Sequence, residues 1–123
     1  MVKRTEQIGA GDLRWLVSLQ RRIDVSDGYG NHKGEWSSQF RRRAYIGPMR
    51  GGESVIAGRL EGTAPTIIVV RYSSETKAIT SDWRVVELLP DGTEGPAYAI
   101  RQAEDMERER QWITLLCERG VAA

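Results

Sequence analysis

The segment Leu13-Arg-Trp-Leu-Val-Ser-Leu-Gln-Arg-Arg-Ile23 decides the fold class. Leu13, Trp15, Val17, Leu19 and Ile23 fall on alternate positions, while Arg14, Ser18, Gln20 and Arg22 face the other way. A period of two over this length marks a half-buried strand. Working outward, strand signals recur. Trp36 to Ile46 is a second candidate, weakened by Arg41-Arg42-Arg43 and stopped at Gly47-Pro48. Thr66-Ile-Ile-Val-Val-Arg-Tyr72 is a β-branched run suited to a well-buried strand. Asp82 to Leu89 is another, closed by the turn signal Pro90-Asp91-Gly92. Ala97 to Arg101 and Gln111 to Cys117 complete the set.

Only between Gly52 and Gly62 does the spacing change. Val55, Ile56 and Leu60 sit at helical intervals, with Gly62 as a stop. The expected fold is therefore mainly β: a small antiparallel β-barrel or β-roll with one short helix and long loops. Its expected core is Leu13, Val17, Leu19, Ile68, Val70, Val85, Ile100, Ile113 and Leu115.

Composition narrows the function. A chain of 123 residues fits one domain spanning 1–123, with residues 1–10 as a flexible or interface arm. A formal net charge of +1 is not the strongly basic balance of an autonomous nucleic-acid binder. The single cysteine, Cys117, excludes an internal disulfide and suits a reducing compartment. No apolar run approaches the ~20 residues that cross a bilayer, and the first residues lack the apolar stretch of a secretory signal.

Residues with chemical potential are sparse. Asp27-Gly-Tyr-Gly-Asn-His-Lys-Gly-Glu-Trp36 holds the one histidine, His32, yet Lys33 precedes Gly34 rather than Ser or Thr, so the phosphate-loop pattern fails. His32 has no second histidine or nearby cysteine to complete a metal site. The stretch reads as an exposed loop between strands, the loop running from Asp24 to Glu35. Cys117 continues the alternation of Ile113 and Leu115, which makes it a buried structural thiol rather than a nucleophile served by His32. Asp24 and Asp27 read as turn caps rather than an acid–base pair. Glu104 to Arg110 alternates in sign and reads as a solvated face or turn. No catalytic, cofactor-binding or metal-binding set emerges.

Order and spacing say more than any one motif. Gly11-Asp12-Leu13 opens a strand ending in Gln20-Arg21-Arg22. Asp27-Gly28-Tyr29-Gly30 and Gly34-Glu35-Trp36 follow, then Arg43-Ala44-Tyr45-Ile46-Gly47-Pro48 and Gly52-Glu53. Ile68-Val69-Val70-Arg71-Tyr72, Trp83-Arg84-Val85 and Tyr98-Ala99-Ile100 come next, and the chain closes on Trp112-Ile-Thr-Leu-Leu-Cys-Glu118. From about Gly11 to Glu118 this series resembles the phage head–tail joining family, the head-closure or stopper proteins of tailed bacteriophages and gene transfer particles.

The resemblance implies a non-enzymatic neck protein without cofactor. It implies a ring of this chain, six-fold rather than twelve-fold, located in the virion after assembly in the host cytoplasm. A portal or adaptor ring lies above, a tail terminator or tail tube protein below, and packaged double-stranded DNA in the channel; no membrane takes part. The family's closing element maps onto Met49 to Ala64, with Met49, Arg50, Gly52, Glu53, Ser54, Arg59 and Glu61 facing the channel. This glycine-rich segment reads either as a gate that orders in the ring or as a helix packed on the barrel through Val55, Ile56 and Leu60. Asp27, Tyr29, Asn31, His32 and Trp36 become an inter-subunit or inter-ring loop. The alternative is a small OB-like barrel that binds nucleic acid by stacking on Trp15, Tyr29 and Trp36.

Overall fold

Val17 and Leu19 of the opening segment are fully buried, as the alternation requires, and the strand they lie on extends from Trp15 to Ser26 (β1). The computed structural model describes residues 9–26, 28–30, 32–48, 64–104 and 111–119. Among these, five further strands follow: β2 (His32–Pro48), β3 (Ala64–Arg71), β4 (Trp83–Leu88), β5 (Glu94–Glu104) and β6 (Trp112–Arg119). They form a closed antiparallel barrel in the order β1-β2-β3-β6-β5-β4. Closure removes the open edges that a sheet this small would otherwise expose.

The interior takes one residue in two from each strand. Val17, Leu19, Ala44, Ile68, Val70, Val85, Tyr98, Ile100, Ile113, Leu115 and Cys117 pack together there, with Trp83 and Phe40 at a ring-centroid distance of 5.8 Å. Each fully buried Val, Leu or Ile contributes roughly 1.5–3 kcal/mol of apolar burial. Eight of the nine expected core residues lie in this cluster. Leu13 is buried elsewhere: it packs with Tyr45, Val69 and Trp112 in a second cluster. Tyr45 pairs with Val69, out of register with the inward Ile68 and Val70, so this cluster lies on the barrel's outer wall. The two-sided burial expected of β3 is thus supplied by the interior on one face and this cluster on the other.

A loop between β3 and β4 stops one mouth of the barrel. Thr76 is fully buried there; its Oγ1 donates to Arg71 O (2.7 Å) and accepts from Ser73 N (2.7 Å), while Thr76 N donates to Ser73 Oγ (3.0 Å). These bonds satisfy polar groups that burial would otherwise penalise. They hold the 3-10 turn Thr76–Ala78, which sends Ile79 into the core. The other mouth, the rim, carries the start of β1 and the turn between β4 and β5. Gly92 has φ +88°, a conformation open to glycine, which accounts for Pro90-Asp91-Gly92 as a turn signal. Pro96 lies where the β4–β5 register shifts, a place that tolerates its missing N–H.

Three expectations need correction or placement. The loop expected from Asp24 to Glu35 is mostly strand, because Ile23, Asp24, Val25 and Ser26 pair with Glu35, Gly34, Lys33 and His32. Cross-strand hydrogen bonding overrides the turn preference of Asp24 and Gly34. The triple arginine does not weaken β2, which runs through it. Arg42 occupies an inward register opposite Val17, extends across the Phe40 ring (4.7 Å) and pairs with Glu75 at 2.5 Å. The helix expected over Gly52–Gly62 lies outside the described residues, as do 105–110 of the alternating charged run; Glu104 ends β5.

Candidate interface surfaces

Beyond Arg21, β1 and β2 leave the barrel together. Arg21 opposite Trp83 is the last β1–β4 pair, whereas the β1–β2 ladder continues to Ser26 opposite His32. Among the described strands, β2 meets β3 only over Tyr45–Pro48. The result is a two-stranded arm. At its tip, Gly28 and Gly30 have φ +84° and +88°, and Tyr29 between them is 90% exposed. Of the residues expected to form an inter-subunit loop, Tyr29 stands at the tip and His32 begins β2, while Asp27 and Asn31 lie outside the described residues.

Trp36 is placed differently. It stands at the arm's base, half-buried, under two guanidinium groups of its own chain: Arg84 lies 4.6 Å and Arg22 5.6 Å from its ring. A bulge sets its direction. Leu19 pairs with Phe40 but Gln20 pairs with Ser38, so Gln39 is an extra residue. The bulge reverses the alternation, and Trp36 faces outward although Phe40 faces in. Gly34 makes room beside it, since a Cβ there would lie 2.7 Å from Arg22 Nε.

Around Trp36 the outer wall is a polar network. Ser18 and Ser38 share a 2.7 Å hydroxyl bond; Gln20 Nε2 donates to Ser18 Oγ (3.2 Å) and Glu94 Oε1 (3.3 Å). Gln20 Oε1 accepts from Arg84 Nε at 2.7 Å. Ser18 and Gln20 are therefore buried on the face where the sequence pattern placed solvent. Burial lowers the Arg84 pKa from its ordinary value, and Glu94 acts against that shift.

The rim carries a second surface. Asp12, Arg14, Trp15, Tyr45, Ile46, Gly47 and Pro48 line a hollow of about 230 Å³. Asp12 closes its N-terminal side by accepting from Gly9 N through Oδ2 at 3.0 Å. Arg43 reaches Arg14 O at 3.3 Å. The Tyr45 ring folds over Gly47, where a Cβ would collide with the phenol. From this rim the chain leaves at Pro48 and returns at Ala64, on strands paired through Pro48 and Thr66. The expected channel residues Met49, Arg50, Gly52, Glu53, Ser54, Arg59 and Glu61 all belong to that connection and lie outside the described residues.

The remaining candidates separate. Cys117 is buried in the core, where desolvation pushes its thiol up to about 12. His32 is on the arm, so the topology does not bring the pair together. The three aromatics of the nucleic-acid alternative form no common face: Trp15 is at the rim, Tyr29 at the arm tip, and Trp36 lies beneath arginines. Among the described residues no group of three or more His, Cys, Asp and Glu is placed to hold a metal ion.

Comparison with known proteins agrees with this architecture. The family described as phage head completion protein matches residues 8–120. A chain from the virion of a native gene transfer agent particle superposes with TM-score 0.56 at 22% identity, covering 89% of this chain and 98% of that one. A Shigella flexneri 2a protein solved in solution gives TM-score 0.63 at 20% identity, with 94% and 100% covered. At these identities the two structures speak to fold alone. Among curated proteins no match is found.

Proposed function

The chain belongs to the phage head completion protein family, and from that premise we propose that it forms a ring in the neck of a virion, closes the DNA channel of the filled head and offers the surface on which the tail docks. The observation that carries this reading is the family match across nearly the whole chain, 8–120. The architecture is consistent with it. A barrel closed on itself is a rigid body on which two extensions can be mounted, the β1–β2 arm and the connection from Pro48 to Ala64. The role is structural rather than catalytic.

In this reading the 49–63 connection faces the channel. Both its ends spring from neighbouring strands at the rim. Arg50 and Arg59 contact phosphate, and Glu53 and Glu61 limit the grip. Every phosphate neutralised adds a salt-dependent increment of affinity, so a few offset charges suit a gate that must later release DNA. The neighbours are a portal or adaptor ring above and a tail component below.

Particles assembled without the protein test the reading. Loss of packaged DNA and failure to join tails is the expected result; particles that keep their DNA and acquire tails contradict it. Replacing Gly52–Leu60 by a short Gly-Ser linker separates the gate from the rest. The barrel should fold and dock, yet filled heads should leak DNA.

A further inference from the structure

Among the described residues the large exposed apolar side chains are Trp15, Ile23, Tyr29 and Leu89, and these gather at the two ends of β1. Ile23 and Tyr29 lie on the arm. Trp15 borders the rim hollow, and continuing the β1–β4 register two residues past Val17–Glu87 sets Leu89 across from it. Twelve residues of strand separate the ends, on the order of 40 Å at ~3.3 Å per residue. One end is a protruding knob. The other is concave, and its volume of about 230 Å³ falls below the ~300–1,000 Å³ of ordinary ligand pockets, a size suited to one aromatic side chain.

A knob and a hollow on different faces of one chain can seat reciprocally in a two-fold dimer or join head to tail, and head-to-tail contacts close into rings when the rotation allows. The ring reading selects the second. We propose that the Tyr29 tip of the arm inserts into the hollow between Trp15, Tyr45 and Pro48 of the next copy, and that this is the lateral contact of the ring. The inference rests on the ring reading above. Burying one tyrosine covers ~150–250 Å², far short of the ~1,200–2,000 Å² of a stable interface. A single contact is therefore weak, and closure of the ring on a docking platform supplies the remaining affinity.

Disulfide trapping detects so weak a contact. Tyr29→Cys and Pro48→Cys are made singly and together, with Lys77→Cys on the exposed mouth loop as the control for random collision; buried Cys117 does not interfere. Circular dichroism melts confirm that each variant folds. Under mild oxidation at high protein concentration, the double variant should give a ladder of dimers, trimers and longer species. Mixed single variants should stop at the dimer. A ladder no faster than Lys77→Cys dimerisation overturns the proposal, as does Tyr29→Cys linking to itself faster than to Pro48→Cys. A double variant that stops at a doubly linked dimer overturns it too. In particles, Tyr29→Ser should lower incorporation about tenfold or more, the scale of an aromatic hot spot. If Tyr29→Ser particles retain DNA and no ladder forms, this contact is wrong while the ring and closure reading stands.

Discussion

The two halves of β1 share one strand and are held by different means. Residues 17–21 have a neighbour on each side, β2 and β4, and both faces are covered at Val17, Ser18, Leu19 and Gln20. From Arg22 to Ser26 only β2 pairs with the strand, and the arm ends in Tyr29, the most exposed large apolar side chain among the described residues. An isolated two-stranded hairpin is marginal in water. The arm persists as a continuation of a strand already anchored in the barrel. Burial therefore accounts for the first half, and the second is available for contact with other chains.

Substitutions can break this division at either end. The largest loss is expected in the interior. Leu115→Ala removes a fully buried side chain and should cost ~2–5 kcal/mol in chemical denaturation. A cost near zero would show that the barrel is not the stabilising unit. On the outer wall, Gln20→Ala takes partners from Arg84, Ser18 and Glu94. A loss of about 1–3 kcal/mol is expected from polar groups left unmatched.

Cys117 probes the interior through pH. Its folded pKa is raised from 9.0 to about 12 by burial, so above pH 9 the unfolded chain releases a proton that the folded chain keeps. The stability it contributes is complete below pH 9 and falls between pH 9 and 12, by up to about 1.4 kcal/mol per pH unit. Cys117→Ser lacks a thiol, so comparing its pH profile with the parent's isolates the effect; a parallel decline in both would place the cause elsewhere. The smallest effect belongs to the arm. Tyr29→Ser should change unfolding free energy by under ~0.5 kcal/mol, as expected of an exposed site.

How much of this was legible in the sequence depends on where each partner lies. The interior face of β1 was readable because alternation is a local property of Val17 and Leu19. The outer face was not. Ser18 and Gln20 are buried by Ser38, Arg84 and Glu94, which are 20, 64 and 74 residues distant in the comparisons of Ser18 with Ser38, Gln20 with Arg84 and Gln20 with Glu94. The direction of Trp36 depended on a single extra residue, Gln39, and a bulge of this kind has no signal in an apolar pattern. Turn-forming residues such as Asp24 and Gly34 masked the length of the arm, since their pairing emerges only in the ladder. The rim hollow joins Asp12–Trp15 to Tyr45–Pro48, and chain separation hid that as well. The family resemblance was readable because it rests on the order of elements, and order survives such local misreadings.

The separation of fold from assembly is tested most directly by shortening the arm. Asp24 and Gly34 face each other, so residues 25–33 can be replaced by Asn-Gly, which favours a two-residue hairpin turn. The measurement is paired: unfolding free energy of the shortened chain, and its incorporation into particles. The account predicts stability within ~1 kcal/mol of the parent, with incorporation and DNA retention lost. A shortened chain that cannot fold, or one that enters particles and retains DNA like the parent, would contradict it.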